Sequence, residues 1–377
     1  MRKVIITNLL ILAVFGSTCF WSVKKDRLTA SVDKILAEQT EGEEEILVLT
    51  SSDLVKKNDQ NTTKDYIKWV DFTVSKFALA ESYEYDRDTY GTDRHISWID
   101  LLAWTAAHTG GKFGDDRTVC KCMEELEMEA EAGKKLEELT EDLEYFPYYR
   151  EVYETVLGGM VGEYEIEEPD AQGRKVTQKR YGLKAFHPIA KGFPYTDYDD
   201  FGASRSYGYR REHLGHDMMG QVGTPVVCVE SGYVEALGWN QYGGWRIGIR
   251  SFDKKRYYYY AHLRQGFPYQ PELKEGSVVL AGDVIGYRGH TGYSTKEDVN
   301  NIDQTHLHVG MQLIFDESQK DSDNEIWIDC YQIMGFLYRN QSETARNDET
   351  KEWRRIYEMK DPAAEKYERT LDFSMYP

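Results

Sequence analysis

His213-Leu214-Gly215-His216-Asp217 opens a stretch of this chain that closes on His306-Leu307-His308, with Tyr260-Ala261-His262-Leu263 between them. The fragments are embedded in short apolar runs separated by turn residues: Val226 to Val229, Gly232 to Leu237, Arg246 to Arg250, Tyr257 to His262, Val284 to Tyr287 and Leu307 to Ile314. That spacing predicts an antiparallel β domain, sandwich-like or partly open. Side chains alternate along a strand, so His306 and His308 share one face while Leu307 packs on the other. The same rule predicts a shared face for Tyr260 and His262. The four-residue step from His213 to Asp217 would suit a helix. However, Gly215 and the turn Gly220-Gln-Val-Gly-Thr-Pro225 predict an irregular loop running into a strand. His216 competes with His213 as a ligand here, and spacing alone does not choose between them.

Two histidines and a carboxylate form a zinc set that leaves one coordination position for water. Two further histidines then remain for proton and charge handling. The donor inventory points to a zinc hydrolase.

A length of 377 residues predicts two or three domains, and 41% hydrophobic residues suffice for packed cores. The formal charge of −19 argues against a nucleic-acid partner, which would require clustered Lys and Arg, and against adhesion to anionic membranes. Five cysteines form no disulfide framework, and Cys120-Lys121-Cys122 is too isolated for a four-ligand zinc site.

Residues 1–23 carry a basic head, Met1-Arg2-Lys3, and an almost uncharged run to Val23. This is a signal peptide or a membrane anchor, the length of the run favouring the anchor, and either leaves the body extracytoplasmic. Residues 24–65 read as an acidic and polar stalk. Residues 66–165 predict a small helical domain, with Ser97 capping Trp98 to His108 before Gly110-Gly111. Glu124 to Leu143 is expected as one exposed amphipathic helix, and Pro147 marks a break before Tyr149 to Met160. No reacting carboxylate stands out there, so the expected role is structural or the binding of a protein partner. The charged stretch 165–180 reads as a linker. The β domain is expected over 181–320. Over 321–377 a terminal helix, Glu325 to Tyr338, and a charged tail are expected. The fold class is therefore multidomain α + β, helical domain first and antiparallel sheet second.

His213-Leu-Gly-His-Asp217, Gly223-Thr-Pro-Val226, Gly232-Tyr-Val234, Tyr260-Ala-His-Leu263, Gly282-Asp-Val-Ile-Gly286 and His306-Leu-His308 follow one another in order. This series, over residues 205 to 315, resembles the lysostaphin-type (LytM-like) zinc endopeptidases, which cut peptidoglycan cross-bridge or stem peptides. The resemblance implies a duplicated-hybrid-motif-like peptidase domain with one Zn2+ per chain, bound by His213, Asp217 and His308. It further implies His262 and His306 as non-ligand catalytic histidines and a zinc-activated water as the attacking group. The alternative is a catalytically silent wall-binding scaffold or activator that keeps the fold. Such a chain would be expected to lose a ligand, and all five positions are kept here. The pattern is broken by an insertion at Lys296 to Thr305 and a longer segment at Gly266 to Pro271, both expected beside the cleft. Tyr242-Gly-Gly-Trp245 stands where the family often places an Asn. His95, His108 and His187 are expected to be structural, and His290 is a weaker candidate for a substrate contact.

Overall fold

Ser97 accepts a hydrogen bond from the Asp100 amide and starts helix α2 (Trp98–Thr109), which Gly110 ends in the left-handed conformation. Every residue of α2 from Trp98 to Ala106 is buried, so it forms the centre of the N-terminal helical region. Around it lie α1 (Lys76–Thr89), α3 (Asp116–Glu131), α4 (Leu136–Thr140) and α5 (Phe146–Leu157). The single helix expected over Glu124 to Leu143 is two pieces. α3 begins earlier, behind the Asp115 cap, and ends before Gly133, whose φ of 84° breaks the helical path. The computed structural model describes residues 68–70, 72–206, 210–320 and 324–374. The N-terminal segment and stalk expected over residues 1–65 lie outside them. Among the described residues no helix is long and apolar enough to cross a membrane.

The charged stretch read as a linker is instead part of a hairpin, β2 (Val161–Pro169) with β3 (Lys175–Leu183), paired in register from Val161↔Leu183 to Pro169↔Lys175. Charge hides the pairing in the sequence, because most side chains of β3 face solvent. On β2, Tyr164 and Ile166 pack against a small cluster containing Phe186 and Met359.

The main sheet runs in the order β1 (Lys68–Val70), β14 (Ile326–Ile328), β13 (His306–Leu313), β10 (Arg256–Ala261), β9 (Gly244–Ser251), β8 (Gly232–Asn240) and β11 (Val278–Val279). A further strand, β6 (His216–Met219), pairs with the first half of β13, while β14 pairs with its second half. All these pairings are antiparallel except β1 with β14. The segment expected as a helix from Glu325 opens instead with the strand Ile326-Trp327-Ile328, a β-branched and aromatic run that pairs into the sheet; helix α6 (Tyr331–Leu337) starts after it. Beside the sheet lie the pairs β4 (Ser204–Ser206) with β5 (Arg210–Glu212), β7 (Pro225–Val227) with β12 (Val284–Tyr287), and β15 (Thr344–Arg346) with β16 (Trp353–Arg355). β17 (Met359–Lys360) extends the hairpin, and α7 (Pro362–Ser374) follows.

On β13 the odd-numbered Leu307, Val309, Met311 and Leu313 enter the core. The same apolar cluster contains Leu79, Leu101 and Leu157 of the helices and Ile333 and Leu337 of α6. Helices and sheet thus share one buried core, and each fully buried Leu or Ile in it contributes about 1.5–3 kcal/mol of burial.

Candidate metal centre

Register builds the site. β13 sets His308 opposite Asp217 of β6 on one side and opposite Ala261 of β10 on the other. Alternation puts His306 on the same face of β13 as His308. The loop before β6 carries His213 across this face, and two glycines admit it. A Cβ on Gly215 would lie 2.5 Å from the His308 ring, and one on Gly310 would meet Trp327 at 2.5 Å and the Leu214 carbonyl at 3.1 Å. Only bare backbone passes this close to the strand.

His213 Nε2, Asp217 Oδ1 and His308 Nδ1 converge. The separations are 3.1 Å from His213 to Asp217, 2.8 Å from His308 to Asp217, and 3.2 Å between the imidazoles. His213 Nδ1 lies 2.9 Å from Asp200 Oδ1, so it carries the proton and leaves Nε2 as a lone pair. Acceptor atoms crowded this tightly repel unless a proton or a cation lies among them. One carboxylate and two imidazoles are a donor set suited to zinc, so the residues present fit such an ion. Among the described residues these three form the one His/Cys/Asp/Glu group with ligand atoms all within 4.8 Å of one another.

Burial alone would raise the Asp217 carboxyl, but hydrogen bonds with His213 and His308 and the nearby imidazoles hold it well below the usual carboxylate range. Burial pushes His308 down to about 4 against the pull of Asp217. His213 goes the other way: its burial is outweighed by Asp200 and Asp217, and its pKa is raised. Behind the site Arg205 ion-pairs with Asp200 and brings Nη2 to 2.9 Å from Asp217 Oδ2. That buried oxygen has charge proximity to Arg205 but no hydrogen bond of its own. Arg288, fully buried, grips the strand carrying Asp217 by reaching the Met219 carbonyl at 3.3 Å and the Gln221 carbonyl at 3.1 Å.

His306 donates Nδ1–H to the Gln304 carbonyl at 2.8 Å, and its Nε2 lies 3.6 Å from Asp217 Oδ1. His262 donates Nδ1–H to the Thr291 carbonyl at 2.9 Å, and its ring centroid is 4.7 Å from that of His306. Both therefore hold Nε2 as the free acceptor. Burial, followed by the neighbouring His306 and His308, keeps His262 well below the ordinary histidine value.

The expectation that Tyr260 and His262 share a strand face is overturned. β10 ends at Ala261, and His262 adopts φ 58°, a left-handed conformation unusual for a non-glycine residue. Tyr260 enters the core, where its hydroxyl accepts from the Val229 amide, while the kink turns His262 to the site. His216 follows the other parity of β6 and bonds Asp197 Oδ2 at 2.8 Å, away from the three ligand atoms. His290 bonds the Ile302 carbonyl, His95 bonds Asp86, His108 bonds the Trp104 carbonyl, and His187 bonds Tyr195.

Several site residues carried no mark in the sequence. Asp200 and Arg205 come from the stretch between β3 and β5, where no periodicity singles them out. Tyr259 was legible in principle, because alternation sets it on the face of Ala261. Its ring lies 6.0 Å from His308. The two extra segments meet each other: Asp298 Oδ1 accepts from the Gly266 amide and from the Trp245 indole, both at 2.8 Å.

The model of peptidase family M23 matches residues 211–322. The L-Ala–D-Glu endopeptidase of Bacillus subtilis (strain 168) is 42% identical over 124 residues, which are 33% of this chain and 36% of that protein. Lysostaphin of Staphylococcus simulans is 39% identical over 84 residues, 22% of this chain and 16% of that one. The matches thus span well under two thirds of these relatives' lengths. The crystal structure of a lytM protein from Ruminococcus gnavus ATCC 29149 aligns over 74% of this chain and 92% of its own, at 21% identity and a TM-score of 0.47. His213, Asp217, His262, His306 and His308 all lie within the matched segment, and residues 211–322 of this chain are a domain of peptidase family M23.

Proposed function

We propose that the chain is an extracytoplasmic zinc metalloendopeptidase that hydrolyses peptide bonds in the stem or cross-bridge peptides of bacterial peptidoglycan. The observation that carries this reading is the convergence of His213 Nε2, Asp217 Oδ1 and His308 Nδ1 beside two histidines whose Nε2 atoms are free. The name of the Bacillus relative, an L-Ala–D-Glu endopeptidase, supports the choice of bond class. In this reading residues 181–320 are the peptidase domain and residues 66–165 an accessory helical domain.

His213, Asp217 and His308 would hold one zinc ion. Bound there, zinc lowers the pKa of water and polarises a carbonyl. Asp200 fixes the tautomer of His213, and Arg205 sets a positive charge 2.9 Å from the outer oxygen of Asp217. His306, anchored through Nδ1 on the Gln304 carbonyl, offers Nε2 to take a proton. His262, anchored on the Thr291 carbonyl, offers a second Nε2 that would take up the proton of the attacking water and return it to the leaving amine. Tyr259 and Trp327, with ring centroids 6.1 Å apart, supply an aromatic wall beside His308.

Zinc stoichiometry and release of peptides from purified peptidoglycan test the roles together. The wild-type chain is expected to hold one zinc and release peptides. His308→Ala is expected to lose the metal, and His306→Ala to keep it while losing at least about 100-fold in rate. A chain that binds zinc and cuts no wall chemistry would instead fit the silent scaffold.

A further inference from the structure

A second concave site has in its wall Arg264, two residues after His262. The turn between β6 and β7, the loop after His262 and the β15–β16 hairpin enclose a cavity of about 520 Å³. Its lining includes Arg264, Arg346 and Lys351 but no Asp or Glu. In a chain with 65 acidic and 46 basic residues, that composition runs against the average surface.

Arg264 is built in rather than loosely displayed. Its guanidinium lies over the Tyr287 ring at 4.6 Å and over the Phe267 ring at 5.2 Å, and its Nε donates to the Phe267 carbonyl. Stacking and that bond fix the plane of the group, and its two terminal nitrogens, which bond no protein acceptor among the described residues, form a fork suited to an oxyanion in the cavity that Arg264 lines. Burial lowers its pKa, and no carboxylate acts against that shift. Opposite, Phe193 meets Trp353 edge-on at 5.1 Å and forms an apolar wall. Glu352, the nearest acid in sequence to Lys351, is paired with Arg354.

Through Arg264 the cavity wall is tied to the backbone that carries His262 and His306. Gly289 pairs with His306, and its amide donates to the His262 carbonyl. A Cβ on the same glycine would lie 2.5 Å from the Arg264 Cα. Arg264 itself is two residues from His262.

We propose that this cavity is a specificity pocket that binds the carboxylate of an acidic residue in the substrate peptide, Arg264 supplying the fork and Arg346 and Lys351 the surrounding positive field. The choice of ligand rests on the peptidase reading above; the pocket itself does not.

The test uses the full chain carrying His306→Ala, so that ligand is not consumed, and calorimetry with two soluble wall peptides. The two differ only in whether the acidic side chain is a free carboxylate or its amide. The free carboxylate is expected to bind at least about 10-fold more tightly. Adding Arg264→Gln should bring the two affinities together, chiefly by weakening the acidic peptide. The double change Arg346→Gln with Lys351→Gln, on exposed positions of the hairpin, should reduce the ratio in the same direction and guards against local misfolding at Arg264. Equal affinity for both peptides, or a preference that survives both sets of changes, overturns the pocket. Inorganic phosphate that binds more tightly than the acidic peptide, and loses its affinity in Arg264→Gln, overturns the peptide carboxylate in favour of a phosphate ligand. Because binding is read without turnover, failure of the chain to cut peptidoglycan would count against the hydrolase and not against this site.

Discussion

Asp200 and Arg205 act on the three converging acceptors from behind. Asp200 pins the proton of His213 on Nδ1, and Arg205 bridges Asp200 to Asp217. Partners of this kind typically contribute 10- to 100-fold to metal affinity. Asp200→Ala is therefore expected to weaken zinc binding by about that factor, measured by competition with a chelator, with little change in folded structure. His187 gives a separate prediction. It is fully buried, its Nδ1 accepts from the Ile189 amide, and burial pushes it down to about 4 from 6.5. The unfolded chain binds the proton more readily, so His187 costs nothing above about pH 6.5 and destabilises progressively as pH falls towards 4. The full loss is about 3 kcal/mol. Denaturation midpoints compared between wild type and His187→Gln should diverge in slope across that window and run parallel above it.

Two irregular elements are joined by one side chain. Asp298, at φ 59°, accepts from the Trp245 indole and the Gly266 amide, while Gln265 and Asn300 bond across the same junction. The departures from the family pattern at 242–245, 266–271 and 296–305 are thus one structural unit. Asp298→Ala removes the acceptor and places a β-carbon residue without local hydrogen bonding in a left-handed site, which costs on the order of 1–3 kcal/mol. Hydrogen exchange at the Gly266 amide and the Trp245 indole should accelerate together. Asp298→Asn, which tolerates that conformation and keeps an acceptor, should preserve most of the protection.

Across the whole molecule, the helical region and the sheet are tied by charge as well as by apolar packing. Arg256 of β10 is buried against Glu230 at 2.8 Å and donates to the Thr155 carbonyl of α5 at 2.7 Å; Tyr258 donates to the same Glu230. Gly159 has no room for a side chain beside this pair, since a Cβ there would overlap Glu230. Removing Glu230 leaves the buried Arg256 with only the half-exposed Asp253 as a carboxylate partner, and the Tyr258 hydroxyl without its acceptor. Glu230→Ala is expected to cost about 3–5 kcal/mol, read as a drop in the denaturant midpoint. The shared core predicts that helical and sheet signals unfold in one transition. It also predicts that a chain lacking residues 72–160 is insoluble, because Ile333, Leu337 and Phe336 lose their cover. Two well-separated transitions would show instead that the regions fold independently.

The sequence by itself determined the β runs, the common face of His306 and His308, the caps of α2, and the ordered motifs over residues 205 to 315. These are properties of local periodicity and of fixed spacing, and they survive without knowledge of contacts. Only the tertiary structure shows that His213, and not His216, lies with Asp217 and His308, because that depends on which face of β6 carries the group. It also decided the turn of His262, since a left-handed residue breaks the alternation on which strand reading rests. Asp200, Arg205 and the basic pocket were out of reach for the same reason. Their partners lie on other elements, and only the folded chain brings the residues around β4, the end of β10 and the β15–β16 hairpin against them.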